Sequence, residues 1–112
     1  MKKYLVLYQS SASAADQMRN VTPEQAKAGM DAWTSWAQRA GAALVDMGSP
    51  VAASARLSGP TQVGNGSSPV GGYSILQAES KDAVMDLLKN HPHFMAPGAS
   101  IETFEFLPIP GM

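Results

Sequence analysis

The amino-acid sequence predicts a single α+β domain, residues 1–112, with the order strand, helix, strand, strand, helix, strand. Three observations support this prediction. Short runs of consecutive apolar residues near both ends of the chain are typical of strands that are buried on two faces. Two other segments repeat apolar residues at helical spacing. A chain of 112 residues has the usual length of one domain.

The first half of the chain predicts one strand and one long helix. Residues 4–8 (YLVLY) have apolar side chains at both alternating sets of positions and predict a strand, whereas residues 9–20 are small and polar and predict a loop. Thr22 and Gln25, on either side of a proline and a glutamate, have the spacing of a capping box at the start of a helix. Gly41 is expected to end that helix.

The second half predicts the remaining elements. A Gly-Ser-Pro sequence at 48–50 is typical of a turn and places the second strand after it. The predicted elements are an edge strand at 51–58, a loop at 59–72, a strand at 73–78, a helix at 81–89 capped by Ser80, and a strand at 101–107. This βαββαβ order is that of ferredoxin-like domains, which here implies a four-stranded antiparallel sheet with both helices on one face.

The strands offer apolar side chains to both faces of this sheet. Leu5 and Leu7 alternate with Tyr4 and Val6, and the last strand carries apolar residues on both sides as well. Because the helices cover only one face, we expect the other face to be buried against a second copy of the chain. The sequence therefore predicts a homodimer that pairs through its sheets.

Composition and charge limit the classes of partner. A net charge of -1 provides no basic surface for nucleic acid, and the absence of cysteine excludes disulfides and thiolate chemistry. The apolar run at 4–8 is shorter than the roughly 7–15 residues of a signal-peptide core, and no segment is long enough to span a membrane. We expect a cytoplasmic protein with neither nucleic acid nor membrane as its partner.

Six segments together carry a family resemblance: MKKYLVLY, VTPEQ, AGAALVDMGSP, GGYSILQAES, NHPHF and GASIETFEF. They resemble the YCII-related family, which includes the proteins known by a DGPF motif. The resemblance runs from Met1 to Leu107. It implies a ferredoxin-like protomer that pairs into a dimeric α/β barrel, with a cleft between sheet and helices or between subunits. It also implies a catalytic His-Asp pair, proposed for some members, and an association of some relatives with sigma factors.

The chain departs from this family pattern at two places. The sequence SSPV at 67–70 stands where the Asp-Gly-Pro-Phe motif is expected. The first predicted helix contains no histidine, so the His-Asp pair that the resemblance implies is incomplete in its expected element.

The two histidines of the chain, His91 and His93, flank Pro92. Because proline disfavours helical geometry before it, the first role expected of this segment is to end the second helix. Histidine also transfers protons near neutral pH when a partner orients it. His93 and His91 are therefore the candidate acid or base, and Asp46 is the candidate partner. A third ligand for a metal ion is not evident, so neither a metal site nor a cofactor is predicted.

Three further residues are candidates for contact with a ligand. Trp36 lies at the margin of the apolar stripe of the first helix, and Tyr73 lies on a central strand, where a buried hydroxyl needs a polar partner. Arg56 and either Glu102 or Glu105 are candidate partners for that hydroxyl, and a small polar ligand is another. The sequence thus predicts that the protein binds, or transforms, a small organic molecule in a cleft. The alternative is a non-catalytic interaction or regulatory module, for example one that contacts a sigma factor.

Overall fold

The structure, a computed structural model, describes residues 1–111, which form a four-stranded antiparallel sheet, a two-stranded hairpin and three α-helices. The elements are β1 (Lys2–Gln9), α1 (Ala14–Arg19), α2 (Pro23–Ala40), β2 (Leu44–Pro50), β3 (Ala55–Ser58), β4 (Gln62–Asn65), β5 (Val70–Ala78), α3 (Lys81–Leu88) and β6 (Ser100–Glu105). The strand order of the main sheet is β2-β5-β1-β6. The predicted α+β class and the four-stranded antiparallel sheet are confirmed.

The core lies between one face of this sheet and helices α2 and α3. Strands β1 and β5 turn alternate side chains towards it, since successive residues of a strand point to opposite faces. Val6 on β1 and Leu76 on β5 are completely buried, as is Val84 of α3. The buried apolar residues are Tyr4, Val6, Tyr8, Trp36, Ala40, Leu76, Ala78, Val84 and Leu88.

Helix ends follow the sequence signals closely. The hydroxyl oxygen of Thr22 accepts a hydrogen bond from the Gln25 backbone N–H, and the Gln25 side chain accepts one from the Thr22 N–H, which completes the predicted capping box. Gly41 ends α2 with a positive φ of 55°, and Ser80 caps α3 through the Ala83 N–H. These contacts are local in sequence, which is why the pattern alone predicts them. Within residues 1–111, the structure has no helix with both the length and the apolar character needed to span a membrane.

The edge strand predicted at 51–58 is only partly a strand, β3 (Ala55–Ser58), and it belongs to the hairpin, so its predicted place in the main sheet is wrong. The sheet strand is β2, which contains the predicted turn at 48–50 within it. The Asp46 carboxylate accepts a hydrogen bond from the Gly48 N–H at 2.8 Å, Gly48 has a φ of 80°, and the pairing register with β5 shifts between Asp46 and Ser49. Turn-forming residues are thus used for a bulge, which bends the strand without ending it.

Two segments predicted as loops contain short elements. Residues 9–20 include the six-residue helix α1, whose first turn is capped by Ser13 through the Asp16 N–H. Residues 59–72 include β4, which pairs with β3 in a hairpin whose strand residues are all exposed. A cap stabilises α1, and backbone pairing forms the hairpin. Neither element has the apolar periodicity from which helices and strands are predicted, so the sequence pattern does not reveal them.

We expect Gly48→Ala to destabilise the fold strongly. A Cβ atom at Gly48 would lie 1.6 Å from the carbonyl oxygen of Tyr73, so β2 and β5 would have to separate. Gly59→Ala is the matched control, because Gly59 has a similar φ of 72° but open space around its Cβ position. Urea unfolding should show a loss of about 1 kcal/mol for Gly59→Ala and at least about 2 kcal/mol more for Gly48→Ala. Equal losses would contradict this account of the bulge.

Candidate functional site

A cleft of about 550 Å³ opens between the first half of α2, helix α1 and the sheet ends of β1, β2 and β5. Its apolar lining consists mainly of methionine, tryptophan and tyrosine side chains together with glycines. The lining residues are Tyr8, Ser10, Ala14, Gln17, Met18, Val21, Gln25, Ala26, Gly29, Met30, Trp33, Met47, Gly48, Ser49, Pro50, Gly71, Gly72, Tyr73 and His93. Its volume lies within the range of known small-molecule sites, roughly 300–1,000 Å³.

Gly29 keeps one wall of this cleft open. It lies in the interior of α2, where a glycine costs roughly 0.5–1 kcal/mol relative to alanine. A Cβ atom at this position would meet nothing within 4 Å, and its φ is not in the left-handed region. Neither packing nor backbone geometry requires a glycine here. Any side chain at this position would occupy space beside the cleft.

His91 is enclosed by three aromatic rings. Its side chain is only 1% exposed, and its ring centroid lies 5.0 Å from Tyr8, 4.5 Å from Trp33 and 4.4 Å from Trp36. The two tryptophans are three residues apart on α2 and therefore share one face of the helix. We refer to Tyr8, Trp33 and Trp36 as the aromatic cage.

One hydrogen bond fixes the tautomer of the neutral His91 ring. Its Nδ1 accepts from the backbone N–H of His93 at 2.9 Å, so the proton of the neutral ring is on Nε2. This Nε2 is buried without a hydrogen-bond partner among residues 1–111. The indole rings of Trp33 and Trp36 lie edge to face with the His91 imidazole, inclined at 81° and 62°. Burial lowers the pKa of His91 to about 4, with smaller contributions from the charges of His93 and Arg39.

His93 lines the cleft with its tautomer fixed. Its Nε2 lies 2.7 Å from the carbonyl oxygen of Gln9, and because a carbonyl can only accept, Nε2 is the donor. Its Nδ1 makes no hydrogen bond within residues 1–111 and, unlike the His91 Nε2, is not a buried atom without a partner. The His93 ring therefore presents an accessible nitrogen that can accept a proton or a hydrogen bond.

Tyr8 joins the cleft to the sheet through a chain of hydroxyl groups. Its O–H donates to the Ser74 Oγ at 2.9 Å, and the Ser74 hydroxyl donates to the Met47 carbonyl at 2.7 Å. Burial raises the pKa of Tyr8 to about 12, against a smaller opposing effect of the Ser74 hydrogen bond. The phenol is therefore neutral at physiological pH, and with its proton directed at Ser74 its oxygen has acceptor capacity only.

No ionic side chain lines the cleft. None of its nineteen lining residues is Asp, Glu, Lys or Arg. Of the charged residues near them in sequence, Asp16 pairs with Arg19 at 3.0 Å and Lys27 with Asp31 at 3.1 Å, while Asp46 accepts from the Gly48 N–H. In the described part of the chain, no group of three or more His, Asp or Glu side chains is placed to hold a metal ion.

The structure brings only some of the predicted site residues together. His91 and His93 meet at the turn that begins with Pro92, but only His93 lines the cleft. Asp46 bonds to Gly48 and makes no hydrogen bond to either histidine. The Gln9 carbonyl takes the orienting position for which Asp46 is the sequence candidate.

The three predicted ligand contacts lie in different places. Trp36 is buried in the cage, donates its indole N–H to the Leu87 carbonyl at 2.8 Å, and is not among the lining residues. Tyr73 lines the cleft at its backbone, where its carbonyl meets Gly48, while strand alternation places its side chain on the sheet face opposite the buried Ser74. Arg56 is on the exposed hairpin, away from the lining.

The sequence pattern does not identify Trp33, Gly29 or the methionines of the cleft as site residues. Trp33 lies in the apolar stripe of α2 and is read there as core. Gly29 is the sequence feature that could have indicated the cleft. A glycine inside a regular helix indicates that another group approaches the helix closely there or that space is needed beside it.

We expect His91 to make the stability of the protein depend on pH. The unfolded chain binds a proton at this residue below about pH 6.5, whereas the folded chain resists protonation down to its pKa of about 4. This contribution to stability is complete above pH 6.5, decreases as the pH falls, and is lost at about pH 4. The total is on the order of 3 kcal/mol. Urea unfolding at several pH values should show a smaller loss for His91→Gln than for the wild type.

His93→Gln is the matched control for removing a histidine, and it should retain most of the wild-type loss between pH 7 and pH 4.5, because burial is the largest cause of the lowered His91 pKa and the charge of His93 a smaller one. Carboxylates that titrate in this range affect all three proteins alike, so the difference between the variants isolates His91. Identical pH profiles for the wild type and His91→Gln would contradict the assignment of a buried, neutral His91.

No family model matches the chain, and a comparison with curated proteins finds no match either. Among solved structures it is similar to the 5-chloro-2-hydroxyhydroquinone dehydrochlorinase (TftG) from Burkholderia phenoliruptrix, in complex with 2,5-dihydroxybenzoquinone. The two chains are 17% identical, the match covers 91% of each, and the TM-score is 0.47. Similarity at this level supports no conclusion about function. A functional proposal must therefore be based on the chemistry of the cleft.

Proposed function

We propose that the protein binds a small organic molecule in the cleft and that His93 acts on it as an acid or base. One observation carries this proposal. The hydrogen bond from His93 Nε2 to the Gln9 carbonyl leaves Nδ1 accessible on a side chain that lines the cleft. A histidine held by one nitrogen with the other accessible is the arrangement that general acid–base catalysis requires.

His91 serves as the positioning residue in this proposal. The backbone of His93 is held by the His91 Nδ1, and His91 is held by the aromatic cage. The His93 ring is held separately by the Gln9 carbonyl at the end of β1. Two points of attachment on different elements restrict the motion of the ring, which favours a defined geometry towards a bound molecule.

We also propose that the protomer is ferredoxin-like and forms a homodimer through its outer sheet face. The order β2-β5-β1-β6, with a helix before β2 and another before β6, supports the topology. Ile75, Leu5 and Phe104 are register partners and form an apolar row across β5, β1 and β6 on the face away from the core. Phe104 is 46% exposed in the single chain, and a second sheet would cover this row.

A second candidate function is that of an interaction module, as the sequence alternative states. The hairpin of β3 and β4 supports it, because Leu57 and Val63 lie opposite each other there and are 64% and 76% exposed. Exposed apolar pairs of this kind are more common at contact surfaces than elsewhere on a monomer.

Screening a mixture of uncharged and charged fragments by ¹H–¹⁵N NMR should test the binding function. We expect the Trp33 indole signal, from the cleft, to shift with binding fragments, while the Trp36 indole, bonded to Leu87, stays unchanged. Gly29→Leu should abolish these shifts because its side chain occupies the cleft, and it should fold because leucine favours helices. Ala28→Leu makes a similar change at an exposed residue outside the lining and should bind as the wild type does.

Fragments that still bind Gly29→Leu, or that shift only residues outside the cleft, would contradict the proposal. For a fragment that the protein converts, His93→Ala should lower kcat by roughly 10²- to 10⁴-fold, the usual contribution of a general acid or base. An unchanged kcat in His93→Ala would remove the acid–base role and leave binding alone.

The dimer is tested by Phe104→Glu, which places a charge in the centre of the apolar row. We expect light scattering after size exclusion to show a dimer for the wild type and a monomer for Phe104→Glu, because burying an unpaired charge is costly. Leu57→Glu introduces the same charge on the hairpin and should remain dimeric. A dimer that survives Phe104→Glu and is lost in Leu57→Glu would assign the interface to the hairpin instead.

A further inference from the structure

We infer that the molecule bound in the cleft is uncharged and aromatic and carries an O–H or N–H group that it donates to His93. This inference rests on the proposed function and specifies the chemical class of the ligand. Three independent features of the lining lead to it: the absence of ionic groups, the nature of the apolar side chains, and the direction of the hydrogen-bonding groups.

The absence of ionic groups excludes ligands that carry a carboxylate, phosphate or ammonium group. None of the nineteen lining residues is acidic or basic apart from His93. Four charged neighbours on α1 and α2 are paired with each other, and Glu24, beside Gln25, is an acidic residue outside the lining. A charged ligand would lose water on entering this apolar cleft, and beside a neutral His93 it would find no counter-ion there. Sites for carboxylates and phosphates place arginine, lysine or free N–H groups of a helix start at the anion. The first turn of α2 reaches the lining at Gln25 and Ala26, but Thr22 already accepts a hydrogen bond from each of these N–H groups.

The apolar lining favours an aromatic ring. Trp33 and Tyr8 pack edge to face with ring centroids 4.9 Å apart, so they present surfaces in two directions. Met18, Met30 and Met47 add three polarisable thioethers around the same space. Aromatic rings pack favourably against both kinds of group.

Three polar groups of the cleft are directed as acceptors, whereas the Gln25 amide, whose carbonyl accepts from the Thr22 N–H, keeps its N–H groups as donors. His93 uses its proton on the Gln9 carbonyl and leaves Nδ1 as an acceptor. Tyr8 uses its proton on Ser74 and leaves its oxygen as an acceptor. The Gln17 amide donates to Ser10 and to the Ala12 carbonyl, which leaves its own carbonyl oxygen. A ligand that only accepts hydrogen bonds would leave these groups without partners, whereas a ligand O–H or N–H satisfies one of them.

Three probes that differ at a single substituent test this inference: 4-methylphenol, 4-methylanisole and 4-methylbenzoate. The phenol is an uncharged donor, the anisole lacks the donor proton, and the benzoate is an anion of similar shape. Each is titrated into the wild-type protein at pH 8, and Kd is taken from the Trp33 indole shift, with the Trp36 indole as the internal reference. We expect 4-methylphenol to bind most tightly, 4-methylanisole about five-fold more weakly, and 4-methylbenzoate at least ten-fold more weakly.

The variant His93→Ala tests whether His93 is the acceptor that makes 4-methylphenol bind more tightly than 4-methylanisole. In this variant 4-methylphenol and 4-methylanisole should bind with nearly equal Kd values, because the acceptor that distinguishes them is absent.

The outcomes separate this inference from the proposed function. Binding of 4-methylbenzoate as tight as that of 4-methylphenol would overturn the inference and leave a binding cleft of different specificity. Equal Kd values for the phenol and the anisole in the wild type would overturn the donor requirement. If none of the probes shifts Trp33 and the fragment mixture does not shift it either, the proposed function itself fails, and the inference fails with it.

Discussion

The hydrogen bond from the His93 N–H to the His91 Nδ1 is the interaction on which the arrangement of the site depends. It joins a histidine that belongs to the core with one that belongs to the cleft, across a single proline. Because Pro92 fixes its own backbone angle and restricts His91 before it, little entropy is lost in forming this short turn. The aromatic cage then anchors the turn to α2, and the Gln9 carbonyl anchors its other side to β1.

This arrangement gives the two histidines opposite properties. His91 is buried and holds its proton on Nε2, so charging it would cost both its desolvation and its hydrogen bond to His93. His93 has one nitrogen held and one accessible, so it can exchange a proton without losing its position. The division of roles follows from burial, not from any difference in residue type.

Much of the fold could be predicted from the sequence because its signals are local. The capping box at Thr22, the cap at Ser80 and the proline turn at Pro92 involve residues within three positions of each other. Strand β2 could not be placed, because glycine at 48 and its neighbours form a bulge whose existence depends on pairing with β5. The candidate site could be predicted only in part, because only its local contacts leave a signal in the sequence. The histidine turn is local, whereas the Gln9 contact of His93 spans 84 residues, and no spacing rule can identify a backbone carbonyl as the partner.

The cleft is also the place where the chain departs from what stability alone would favour. Gly29 weakens α2 although alanine would fit its backbone and surroundings. Met18 and Met30 expose large apolar side chains to the same space instead of packing into the core. Each of these features lowers the free energy of unfolding or the solubility slightly, and nothing in the packing of the protomer compensates for them. Departures of this kind are expected at functional sites, and here they surround the accessible nitrogen of His93. A chain that served only as a structural module would gain stability by closing this space, so the open cleft itself favours a bound molecule.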